Sequence, residues 1–197
     1  MDPDVRLLEG VARGSEADFE ELYRRYQPRL DSFFRQRIRD AQAAQELVQE
    51  TMLVVWNRAT TFNGSSRAST WILGIGYHKL LEWSRKERKA KDLFLTEADQ
   101  ESEQLPGDPQ ADASRKVGRE DLMNEVRQAL QGLTAEHRTV IELTFQQGLS
   151  YNEIAEIMNT NAGTVKSRMF YAKQKLKEIL SERGMKGDEL WQISKGV

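Results

Sequence analysis

The stretch Leu149-Ser-Tyr-Asn-Glu-Ile-Ala-Glu-Ile-Met-Asn-Thr-Asn-Ala-Gly-Thr-Val-Lys-Ser-Arg-Met-Phe-Tyr-Ala-Lys-Gln-Lys-Leu176 decides the architecture of this chain. Ser150 and Glu153 have capping-box spacing, so a short helix starts at Ser150 with two otherwise orphaned amides satisfied. Ile154, Ala155, Ile157 and Met158 give that helix one apolar face. Asn159-Thr160-Asn161 then interrupts the pattern with residues that tolerate turn and left-handed conformations. Asn161 can cap a second helix running through Val165, Met169, Ala172 and Leu176. The prediction is two helices joined by a tight turn.

Placed at about 100° per residue, Val165, Met169, Ala172 and Leu176 form the stripe that must be buried. The opposite face carries Gly163, Ser167, Phe170, Tyr171 and Gln174, flanked by Lys166, Lys173 and Lys177 on one side and Arg168 and Lys175 on the other. Small, hydroxyl and aromatic groups between two rows of cations suit a DNA major groove with its two phosphate walls. A plain amphipathic surface helix would also show solvated lysines. It would not point both Phe170 and Tyr171 away from the core stripe.

At 197 residues the chain can form one large domain or two small ones, and helical regions on either side of a polar middle favour two. The net charge of -2 is unusual for a free-standing DNA binder, so affinity is expected to be weak alone or completed by a partner. Disulfides and thiolate metal sites are excluded, because there is no cysteine. The two histidines, His78 and His137, lie in helical patterns; no Gly-rich phosphate loop and no metal-spaced carboxylate set occurs. Neither a cofactor, a metal nor a catalytic residue is therefore expected. No apolar run reaches membrane-spanning length and the N-terminus lacks a signal-peptide core, so a soluble, cytoplasmic protein without membrane insertion is expected.

Outward from the opening stretch, every segment reads as helix and none alternates long enough for a strand. The predicted class is all-α: two small helical domains joined by a flexible acidic linker, the second with a helix-turn-helix. In the first, helices are expected over about Asp4–Ala12, from Ser15 onward through Phe19, Leu22, Tyr23 and Tyr26, over Ala41–Arg58, and over Thr70 to about Lys91. Pro28 should kink or break the second of these. A loop from Thr60 to Ser69 precedes the fourth. Leu122, Val126, Leu130 and Leu133 suggest a helix opening the second domain, and Thr134 caps the next, which ends before Gly148. Between the domains, Glu97, Asp99, Glu101, Glu103, Asp108 and Asp112 form an acidic run without Lys or Arg, broken by Pro106-Gly107-Asp108-Pro109.

Three stretches together resemble the extracytoplasmic-function (ECF) sigma factors. They are Phe19-Glu-Glu-Leu-Tyr-Arg-Arg-Tyr-Gln-Pro28; Glu46-Leu-Val-Gln-Glu50 through Trp56 with Phe62-Asn-Gly64 and Thr70-Trp71; and Leu149-Ser-Tyr-Asn-Glu-Ile-Ala155 with Gly163-Thr-Val-Lys-Ser-Arg168. Each is moderately specific, whereas their order and spacing are highly so. The resemblance implies a non-enzymatic subunit that recruits core RNA polymerase to promoter DNA and opens it. It implies domains at 1–92 (polymerase clamp binding, minus-10 recognition and melting) and 119–181 (minus-35 recognition), with a linker at 93–118 and a tail at 182–197.

Residue by residue, the resemblance places Glu46, Gln49, Glu50, Leu53 and Trp56 on the helix that grips the polymerase clamp; Trp56 fits a core position equally well. The loop that follows, with Phe62, Asn63 and Arg67, would capture a flipped base of the minus-10 strand, helped by Trp71 and His78. The alternative, less favoured reading of that loop is a mobile connector. The family's usual Ile-Ala-Arg-Asn appears here as Ile75-Gly76-Tyr77-His78, so base preference does not carry over. Gly163, Thr164, Ser167, Phe170 and Tyr171 match minus-35-reading positions, with Lys166, Arg168 and Lys173 suited to phosphates. Tyr171 stands where arginine is frequent. Arg85 to Lys91 is either a phosphate grip or a solvated helix end, and the acidic linker either a polyanion mimic inside polymerase or a solvated tether. An anti-sigma factor is an implied partner. The competing reading is a self-sufficient helix-turn-helix regulator whose N-terminal domain senses a signal or dimerises.

Overall fold

Helices begin in this protein where a short polar side chain satisfies the first amides. In the computed structural model, which describes residues 2–94, 125–126 and 128–184 (backbone alone over 89–94), Asp2 caps helix α1 (Pro3–Ala12) and Ser15 caps α2 (Glu16–Arg35). Asp40 caps α3 (Ala41–Arg58), whose end tightens into a 3-10 turn at Ala59–Thr61. Helix α4 runs over Ala68–Phe94. Residues 128–131 are helical, and Thr134 then caps α5 (Ala135–Phe145). Ser150 caps α6 (Tyr151–Ile157) and Asn161 caps α7 (Ala162–Glu182). The described residues contain no strand, as expected of an all-α chain.

Several boundaries differ from expectation. Pro28 neither breaks nor ends α2, which is one continuous helix. Leu22, Tyr26, Leu30, Phe33 and Phe34 are buried on both sides of the proline, and Pro28 itself is exposed. An interior proline costs about 3 kcal/mol, and five large buried side chains outweigh that at about 1.5–3 kcal/mol each. Helix α4 starts two residues before Thr70 and continues past position 92, so the loop shrinks to 62–67. Helix α7 extends beyond Leu176 to Glu182, because Leu180 finds a buried site. Gly148 lies further past the end of α5 than a C′ residue, with a φ of 67° that favours glycine. The acidic run and the end of the tail fall outside the described residues.

The first four helices close around Tyr26, Phe33, Phe34, Met52, Ile72 and Leu73, all essentially inaccessible. Tyr26 also donates its hydroxyl to Asp4 at 2.6 Å, tying α1 to α2. Gly76 marks a close approach of α4 to α2: a Cβ there would lie 2.7 Å from a Leu30 methyl. That accounts for glycine at this departure from the family pattern. In the second unit Val140, Leu143, Ile154, Val165, Met169 and Ala172 form the core.

The two units are not separate. Their cores belong to one continuous cluster, and α4 packs on α6. Arg37 of α2 pairs with Glu142 of α5 and donates to Thr139 at 2.9 Å. Arg29 donates to the Gln147 side chain at 2.9 Å, and Gln36 donates to Gln146 at 2.6 Å.

Candidate nucleic-acid interface and helical docking face

Helix α7 presents the face its sequence predicts. Ser150 and Glu153 close a complete capping box on α6. Asn159 then turns the chain with a φ of 49°, the left-handed conformation that asparagine tolerates. Asn161 accepts from the Thr164 amide at 2.8 Å and starts α7. Gly163 leaves room for the cap, since a Cβ would stand a tight 3.1 Å from the capping oxygen. With Val165, Met169 and Ala172 buried, Phe170 and Tyr171 point outward, 65% and 59% exposed, in edge-to-face contact. Ser167 and Lys166 share that exposed side, with Thr164 half-buried beside them. Two of the expected phosphate-binding cations have partners inside the fold. Arg168 pairs with Glu136 of α5 at 2.7 Å, and Lys173 lies 5.3 Å from the Phe145 ring centre. Neither partner could be read from spacing, because both lie on another helix.

A second surface gathers the loop 62–67 and the start of α4. Asn63 accepts from the Ser65 amide at 3.0 Å and Gly64 has a φ of 73°, so the loop is a built turn. Phe62 packs on Trp71 with ring centres 5.5 Å apart, supporting the indole more than offering itself. Arg67 is exposed and lies 3.6 Å from Glu153 of α6. His78, also exposed, stands edge-on to Tyr77. Trp71 and His78 line a cleft of about 520 Å³ together with Arg58 and Lys79, and Glu156 and Ile157 of α6 form its opposite wall. Arg58 and Lys79 were not among the site residues expected from sequence, since nothing in their spacing sets them apart from solvated helix charges.

A third surface lies on α3. Glu46, Gln49 and Glu50 are exposed along it, and Leu53 is 59% exposed, an apolar side chain with no core to fill. These residues border a groove of about 500 Å³ whose other walls are Phe19 and Tyr23 of α2. The sequence reading noted both aromatics only as apolar positions at helical spacing; their i,i+4 repeat was the available signal. Trp56 packs against Phe19 with ring centres 5.1 Å apart and is partly buried. Lys79 reaches Glu50 at 3.2 Å, and this hydrogen bond raises the lysine pKa.

Two carboxylates are electrostatically distinct. Glu142 is fully buried, and loss of solvation pushes its pKa up to about 7 against the attraction of Arg37 and Arg138. Apart from Arg37, no donor among the described residues reaches its oxygens. Glu153 goes the other way. Partial burial opposes its charge, but the Ser150 amide and hydroxyl, the Thr70 hydroxyl and Arg67 hold its pKa below the ordinary value.

Two family signatures match the chain, one in each unit. The Sigma-70 region 2 family matches residues 22–90, and the Sigma-70 region 4 family matches residues 123–176. Among curated relatives, the ECF RNA polymerase sigma factor RpoE of Cereibacter sphaeroides is 31% identical, covering 84% of this chain and 88% of its own. The ECF RNA polymerase sigma factor SigX of Bacillus subtilis is 30% identical over 77% of this chain and 78% of its own. Sigma-H of Pseudomonas aeruginosa is 29% identical over 91% and 95%. Among solved structures, the sigma factor RpoE of Bartonella quintana, in complex with the anti-sigma factor NepR, covers 83% of this chain and 97% of its own at 27% identity and a TM-score of 0.64. CnrH, solved with the cytosolic domain of CnrY, shares the fold at a TM-score of 0.66 and 22% identity, over 91% of this chain and 97% of its own. The chain belongs to the ECF RNA polymerase sigma factors, the transcription initiation subunits that direct core polymerase to promoters.

Proposed function

We propose that the three surfaces divide the work of initiation. The α2–α3 groove, with Glu46, Gln49, Glu50 and Leu53 joined by Phe19 and Tyr23, docks the polymerase clamp. An apolar anchor rimmed by carboxylates fits a helical partner of basic character. The loop 62–67 with Trp71 and His78 captures the minus-10 strand, with Arg58 and Lys79 supplying positive charge beside it. The outer face of α7 reads the minus-35 duplex through Gly163, Ser167, Phe170 and Tyr171, Thr164 and Lys166 facing the adjoining backbone. Arg168 and Lys173 serve that helix mainly by holding it on α5. Domain limits follow as residues 1–94 and about 119–181, with the acidic segment between them.

The observation that carries this reading is the pair Phe170 and Tyr171, aromatic side chains held in solvent on a correctly capped helix. The protein acts without catalysis of its own, in the cytoplasm where its polymerase and DNA are. No described helix is long and apolar enough to cross a membrane. An anti-sigma factor is its regulatory partner, as NepR is for the Bartonella protein. Run-off transcription with purified core polymerase on genomic fragments tests the whole assignment. Promoter-specific transcripts that depend on this chain are expected; tight specific duplex binding without polymerase, and no transcripts, would point to the self-sufficient regulator instead.

A further inference from the structure

Helix α7 has no guanidinium free to read guanine. Its single arginine, Arg168, is turned toward α5, paired with Glu136 at 2.7 Å and with a side chain only 23% exposed. Lys173 lies over the Phe145 ring, and Lys175 pairs with Glu178 at 3.2 Å. Lys166 is exposed, but an ammonium is a point charge without the planar fork that grips guanine O6 and N7 together. Cytosine and adenine are served no better. Cytosine offers an amino donor, and no carboxylate occurs between Gly163 and Gln174 to accept it. Adenine is read by a bidentate amide, whereas the Gln174 amide donates to Glu178 at 3.4 Å. The Ser167 hydroxyl lies 3.2 Å from the Gly163 carbonyl and 3.0 Å from that of Thr164, so its proton stays within the helix.

What the outer face offers is aromatic surface. Phe170 and Tyr171 are largely exposed, with ring centres 5.5 Å apart and planes at 79°. Edge-to-face contact is a preferred arrangement of two rings, so each limits the other's freedom before any DNA arrives. Thymine is the base whose major-groove edge carries an apolar group, the 5-methyl. We propose that Phe170, braced by Tyr171, reads thymine 5-methyl groups in the minus-35 duplex. The inference rests on the assignment of this face of α7 to that duplex and adds the base chemistry it selects. A methyl seated on the ring leaves water together with the ring surface it covers, which is worth about fourfold in affinity for each methyl. Lys166 then adds affinity through phosphate without choosing a base.

The chain has no cysteine, so Glu178→Cys places a sole thiol on α7, one turn beyond Gln174, to carry an iron chelate that cleaves nearby DNA. Assembled with core polymerase on a promoter mapped by the run-off assay, the labelled chain locates the helix. Cleavage outside the minus-35 segment overturns the surface assignment, and the methyl reading with it. With cleavage inside the segment, each thymine is replaced in turn by deoxyuridine, which removes one methyl and keeps the base pair. Competition binding by the holoenzyme should weaken about fourfold at one or more of those positions. In Phe170→Ala, a truncation at an exposed site that leaves the core intact, the same replacements should have no effect. Binding indifferent to deoxyuridine at every position overturns the methyl reading while the surface assignment stands. Loss on replacing guanine by 7-deazaguanine, which lacks N7, would in that case give the face to guanine. Equal deoxyuridine losses in wild type and Phe170→Ala also overturn the proposal, since the methyl would then act without the ring.

Discussion

Glu153 does three things with one carboxylate. It closes the capping box on the Ser150 amide, accepts the Thr70 hydroxyl and faces Arg67. Only the first is encoded by spacing along the chain; the others depend on a helix more than eighty positions away. Ser150→Ala should cost about 1 kcal/mol in urea unfolding, the usual loss for an N-cap, with polymerase binding unchanged. Tyr171 stands at the other extreme, largely exposed with its ring edge-on to Phe170. Tyr171→Arg should leave the urea midpoint in place and alter preference at one minus-35 base pair by about 1–3 kcal/mol, measurable by competition among promoter variants in the holoenzyme. Stability and specificity are thus separable on the same helix-turn-helix.

Helix α3 shows the same separation across its two faces. Leu47, Val48, Met52 and Val55 fill the core, while Glu46, Gln49, Glu50 and Leu53 face outward. Leu53→Glu should preserve helicity by circular dichroism and weaken core polymerase binding by roughly 2 kcal/mol, the scale of a buried interface anchor. A comparable loss of helicity in that variant would return Leu53 to a structural role. Helix α2 is where local rules misled. Pro28 signals a break within ten residues of sequence, yet five buried side chains on one stripe hold the helix through it. Pro28 lies on the exposed face of that helix, which cannot be known without knowing which face is buried. Arg168 and Lys173 fit both a phosphate pattern and a packing pattern, and only the position of α5 decides between them.

Closure of the two units makes the chain's stability depend on pH through Glu142. Its neighbours are Arg37 from α2 and Arg138 on its own helix; Tyr77 of α4 and Glu136 stand near that cluster. Burial raises the folded pKa of Glu142 from 4.5 to about 7, so folding takes up a proton between those values. Its contribution is therefore full below the ordinary value and lost as pH rises through about 7, by at most about 3 kcal/mol. Glu21 and Glu153, with lowered pKa values, act in the opposite sense and lose their contribution as pH falls. Comparing wild type with Glu142→Gln isolates the buried group. The stability difference in favour of the variant should grow from about pH 5 to about pH 8 in urea titrations, and a flat difference would contradict the burial argument. Read from sequence alone, the chain declares most of its helices, the caps Thr134, Ser150 and Asn161, and the outward face of α7, while its family is legible only as a resemblance of motifs. The helices, caps and face are set by periodicity and by hydrogen bonds within a turn or two of chain. Tertiary structure alone decided that Phe19 and Tyr23 wall a groove beside Leu53, that Arg168 pairs with Glu136, and that Glu156 and Ile157 of α6 wall the cleft holding Trp71 and His78. Those contacts join residues far apart in sequence, between helix faces that are each satisfactory alone, and no local pattern records which two faces will meet.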